Sequence, residues 1–101
     1  MPNNNYLKGR NAEYATIKTL EKQHYFAMRS AGSHKIDVIA FLQKDKLEYP
    51  LIKAISVKSG KYISKKDIKE LKDIKLPNIV EKQIWHYRPH KKVKIIDVEN
   101  T

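Results

Sequence analysis

From about residue 7 to residue 22, apolar side chains recur at helical spacing. Ala12, Ala15, Ile17 and Leu20 form one stripe, with Lys8, Arg10, Lys18 and Lys22 around it. That pattern predicts an amphipathic helix, with Asn3 to Asn5 as candidate caps. The period then changes to two. Residues 25–29 alternate, placing Phe26 and Met28 on one face, and residues 36–42 are almost continuously apolar, as expected of a central strand. Residues 51–58 alternate again: Ile52, Ala54, Ser56 and Lys58 on one face, Leu51, Lys53, Ile55 and Val57 on the other. The charged stretch 43–50 between them reads as a hairpin connection, and Pro50 fits only at the start of the strand that follows. Ser64-Lys65-Lys66-Asp67 resembles a capping box, with Asp for the usual Glu, and opens a second helix. Ile68, Leu71, Ile74 and Lys75 continue it until Pro77. Strands over 81–87 and 92–98, joined through Arg88-Pro89-His90-Lys91, close the chain. The predicted order is α-β-β-β-α-β-β, a single α/β domain over residues 1–101 with neither linker nor internal repeat.

Composition narrows the class. The chain of 101 residues is 41% apolar with few Gly and Pro, so it is expected to fold. There is no cysteine, which rules out disulfides and thiolate metal sites. No apolar run approaches the ~20 residues of a membrane span, and MPNNNYLKGR lacks the apolar stretch of a signal peptide. The expectation is a soluble intracellular protein. The formal net charge is +10, and it is uneven: residues 53–94 carry 13 basic and 4 acidic side chains. A half so basic suggests a polyanionic partner, most simply nucleic acid. A lysine-rich surface serving solubility or thermal stability is the alternative.

Three charged residues stand in unusual places. Glu13 falls on the apolar side of the first helix, where an unpaired carboxylate is costly; a boundary pair with a nearby Arg or Lys would explain it equally. Asp37 opens the most apolar strand. A divalent cation would offset its desolvation, and Mg²⁺ is commonly held by one or two carboxylates with water and phosphate. Lys58 ends the next strand, two residues beyond Ser56 on the same face, where its ammonium could offset charge on a phosphorus centre. A structural Asp37–Lys58 ion pair is the plainer reading. The four histidines have no zinc-site spacing, and Trp85 reads as core or subunit interface.

Over residues 8–66 the chain resembles the archaeal-type Holliday junction resolvases, a branch of the PD-(D/E)XK nuclease superfamily. Carrying the resemblance are Lys8-Gly9, Ala12-Glu13, Ile17, Leu20-Glu21-Lys22, Phe26-Ala27, Arg29-Ser30-Ala31-Gly32-Ser33, Asp37-Val38, Ile55, Val57-Lys58 and Tyr62. It implies a restriction-endonuclease-like core with a central mixed sheet flanked by helices. It also implies a metal site made by Glu13, Asp37 and the backbone carbonyl of Val57, with Lys58 as catalytic lysine. Arg29, Ser30 and Ser33 would approach the scissile phosphate. Mg²⁺, with Mn²⁺ as substitute, would be the cofactor, branched DNA the substrate and a homodimer the working unit, since a symmetric cut at a four-way junction needs two sites. Lys8, Arg10, Lys61, Lys65 and Lys66 would hold the DNA backbone without reading bases.

One position departs from the pattern. Ser56 stands where the family has a second acid that binds metal directly. A neutral hydroxyl there implies metal affinity weaker by about one to two orders of magnitude. A water could fill the gap, an acid such as Glu48 could replace it, or cleavage could be lost. A nuclease-fold protein that only binds nucleic acid is therefore the alternative expectation, and an RNA-associated structural module is a third.

Overall fold

The computed structural model describes the backbone of residues 4–30, 35–43 and 52–99, and their side chains from residue 10 onward. Helix α1 (Asn4–Lys22) is followed by strands β1 (Tyr25–Arg29), β2 (Val38–Leu42) and β3 (Ile52–Ser59), helix α2 (Lys65–Asp73), and strands β4 (Val80–Tyr87) and β5 (Lys94–Val98). This is the order read from the sequence. The five strands form one sheet in chain order, antiparallel throughout except where β3 runs parallel to β4. A hairpin joins antiparallel neighbours, whereas a parallel pair requires a crossover, and α2 supplies it.

The side-chain period of two sends each strand's residues to opposite faces. On one face Tyr25, Val38, Ala40, Ile55 and Trp85 close against Leu20 of α1. On the other, Ile84 and Val98 close against Leu71 of α2. Trp85 is fully buried, in the core as expected. Its indole N–H donates to Gln83, which in turn donates to Asp97 and Glu81. Phe26, Met28 and Phe41 lie on the face away from α1 and remain substantially exposed.

Several details differ from expectation, each for a physical reason. The buried stripe of α1 is Ala12, Thr16 and Leu20. Thr16 is tolerated because its hydroxyl donates to Ala12 O (2.8 Å) and meets the Tyr87 hydroxyl at 2.7 Å. The first helix begins earlier, and Asn4 and Asn5 lie within it rather than capping it. The second begins at the capping box as read, with Ser64 and Asp67 bonded reciprocally. It ends at Asp73, four residues before Pro77. Lys82, only 1% exposed, reaches from β4 and donates to the carbonyls of Leu71, Lys72 and Ile74 at 3.0, 2.9 and 2.6 Å. A cation at a helix C-terminus satisfies orphan carbonyls and complements the macrodipole. Among the described residues no helix is long and apolar enough to cross a membrane.

Candidate active site

Asp37 stands one residue before β2 and is fixed by three bonds. Its N–H donates to Ile55 O (2.8 Å), its carbonyl accepts from Ser30 N–H (2.8 Å), and its Oδ2 accepts from Val57 N–H (2.7 Å). The first two extend the ladders of β1–β2 and β2–β3 past the strand ends. The sheet itself thus places this carboxylate against β3. Because a strand residue's N–H and C=O project to the same side, the Val57 carbonyl faces Asp37 as well. Burial raises the Asp37 pKa above the ordinary aspartate value, although the Val57 bond, Lys58, Arg29 and Lys35 all act to lower it.

Lys58 follows Val57 and lies on the other face of β3, beside Ser56, which is 2% exposed. Its ion-pair partner is not Asp37, the acid the plainer sequence reading paired with it. The ammonium lies 3.8 Å from Asp67 Oδ1, in the first turn of α2. Burial pushes Asp67 up, but the Ser64 N–H and hydroxyl, Lys58 and Lys35 outweigh it and hold the carboxyl below its ordinary value. Asp67 was legible as a helix cap. Its second role follows from the short 60–64 connection, which folds the capping box back onto the end of β3. Glu48, the acid named from sequence as a replacement, lies outside the described residues.

Glu13 is turned toward the sheet on α1 and pairs with Arg29 at 3.4 Å. Arg29 also lies over the Tyr14 ring, 5.5 Å from its centroid. The boundary pair weighed for Glu13 is therefore present. Ser30 contributes its backbone to the Asp37 anchor, while Ser33 and His34 lie outside the described residues, as does the Lys8 side chain. Arg10 is exposed and donates to the Tyr14 hydroxyl. Lys61, Lys65 and Lys66 are all exposed beyond β3 and on the first turn of α2, and Lys66 pairs with Glu70 at 3.9 Å.

Among the described residues no group of three or more His, Asp or Glu could enclose a metal. The donors present are still of the kind Mg²⁺ or Mn²⁺ takes: hard oxygens from one carboxylate and one carbonyl, the rest left to water and phosphate. Asp37 has one oxygen with no hydrogen-bond partner among the described residues, and its burial favours a counter-cation. The chemistry of this donor set fits a weakly held divalent ion.

A carboxylate anchored just before one strand and a lysine near the end of the next therefore stand together on a mixed five-stranded α/β sheet. No protein-family model matches the chain. Among solved structures it is similar to Hjc, a Holliday junction resolvase from the archaeal hyperthermophile Archaeoglobus fulgidus, with a TM-score of 0.68 and 23% identity over 93% of this chain and 78% of that one. At that identity, the fold is what the two share.

Proposed function

We propose that this chain is a divalent-metal-dependent, structure-selective endonuclease acting on branched DNA as a homodimer. The observation that carries the reading is the bonded unit Asp37–Val57–Lys58, which sets a desolvated carboxylate and an ammonium on consecutive positions across two strands. Asp37 and the Val57 carbonyl would hold Mg²⁺ or Mn²⁺, with Glu13 able to contribute on leaving Arg29. When bound, the ion supplies Lewis-acid activation of water and neutralises charge on the phosphate. Lys58 exchanges Asp67 for a non-bridging phosphate oxygen and stabilises the charge that grows there during in-line displacement. Arg29, Ser30 and Ser33 position the phosphate. Lys8, Arg10, Lys61, Lys65 and Lys66 hold the flanking backbone.

Ser56 favours a second reading. With a buried serine in place of a direct metal ligand, the protein would bind nucleic acid without cutting it. Labelled four-way junction, duplex and single strand, each incubated with Mg²⁺, Mn²⁺ or EDTA, separate the two. Metal-dependent nicking of branched DNA is expected, abolished by Asp37→Ala while binding persists. Binding with no cut in any metal would leave only the second reading.

A further inference from the structure

Beyond Lys58 the two parallel strands end side by side, and a pocket of about 280 Å³ opens between their outgoing loops. Lys61, Tyr62, Arg88, Pro89 and Lys91 line it. In open α/β sheets, ligands gather at the carboxyl ends of parallel strands. The pocket lies only three to four residues past Lys58, at most about 10–13 Å at strand rise.

Its frame is built into the fold. Gly60 N–H donates to Tyr87 O at 3.1 Å, and His86 Nε2 meets Gly60 O at 2.7 Å, tying the exit of β3 to the end of β4. Gly60 takes φ +124°, which L side chains rarely adopt. Across the pocket Lys91 N–H donates to Arg88 O (3.3 Å), and His90 sits at φ +57° to complete the turn. The backbone of both walls is therefore fixed before anything binds.

Two features ask for a ligand. Arg88 lines the pocket with its Nε buried and without a hydrogen-bond partner among the described residues, so the desolvation of that donor is uncompensated. Tyr62 is 88% exposed, an aromatic ring held at the rim among three cations with no acid in the lining. An anion would offset the three cations of the lining; only a flat partner would also use the ring. We propose that this pocket binds one unpaired nucleotide of a DNA strand, its base stacked on Tyr62 and its phosphate held by Arg88, Lys61 and Lys91. The proposal rests on the nucleic-acid reading above and adds that unpaired DNA beside the branch is a recognised feature. Stacking platforms within basic grooves bind single strands in this way.

The test uses the full chain in EDTA, so that cleavage plays no part, and forked DNA carrying 2-aminopurine in one unpaired arm. Wild type should quench the probe. Tyr62→Ala should abolish quenching and weaken fork binding about 10-fold or more, with duplex affinity unchanged, since one stacked base is worth roughly 5- to 150-fold; Tyr62→Phe should retain both. Arg88→Gln should weaken fork binding and flatten its salt dependence by about 0.7 in log–log slope. Tyr62 is so exposed that its loss leaves the fold intact, and a denaturation midpoint checks Arg88→Gln. Equal quenching and affinity in wild type and Tyr62→Ala would overturn the pocket while leaving the DNA reading standing. So would an Arg88→Gln loss that extends equally to poly-glutamate while Tyr62→Ala is silent, since that would make the pocket a site for acidic chains. A wild type that binds no DNA would overturn both.

Discussion

Ser56 and Asp37 trade stability against chemistry in opposite ways. Ser56 is 2% exposed, so Ser56→Glu places a carboxylate where solvent hardly reaches. Without metal it should destabilise the protein by about 1–3 kcal/mol. Mg²⁺ or Mn²⁺ should restore the loss and lower the metal concentration needed for cleavage, because a ligand of the folded state stabilises it by mass action. Thermal melts with and without Mn²⁺ decide; a variant equally unstable in both has no metal at that position. Asp37 has its pKa raised chiefly by burial. The folded state therefore holds the proton more tightly than the unfolded chain, and the associated stability, present below the ordinary aspartate value, is lost as pH rises through the folded one. Asp37→Asn keeps an acceptor for Val57 N–H and cannot ionise. In EDTA at pH 7 it should be the more stable protein, and the two should converge as pH falls below the ordinary aspartate value. A less stable variant at pH 7 would mean that the carboxylate is already compensated.

At the scale of elements, α2 shows where sequence reading stopped. Its start was written in Ser64 and Asp67, since a capping box is a local device. Its end was not, because what terminates it is a lysine from another strand: Lys82 alternates like any strand residue, and nothing local marks it as buried. The same limit explains Thr16, whose hydroxyl is satisfied partly by distant Tyr87, and Lys58, whose partner Asp67 depends on how tightly the 60–64 loop folds. Strands and their faces were legible because a period of two is a property of consecutive residues. Pairings across elements were not. Lys82→Met should remove three bonds to helix carbonyls and lower stability by about 1–3 kcal/mol. Urea titration checks the loss; a neutral or stabilising substitution would show that desolvating the ammonium already cancels its bonds, the direction in which burial shifts its pKa.

For the molecule as a whole, the net charge of +10 should make the proposed association with DNA salt-dependent. If 6–10 phosphates are contacted, affinity should fall by about 10³–10⁵ between 50 and 200 mM salt. Fluorescence anisotropy across that range measures the slope, and a flat response would exclude backbone contacts as the main source of affinity. Sedimentation at micromolar concentration should show a dimer, and a monomer on junction DNA would remove the symmetric-cut reading.

The crossover helix has a further consequence. α2 links β3 to β4 and is gripped at both ends by those strands, by Lys58 at its first turn and Lys82 at its last. Local opening of α2 must release both lysines, so its amides should exchange with deuterium at the rate of the central β3–β4 pair rather than at that of a peripheral helix. The lysine nearest the candidate chemistry then belongs to the last part of the molecule to open. The backbone that carries Lys58 would hold its place until the fold gives way, leaving only the side chain to move from Asp67 to phosphate.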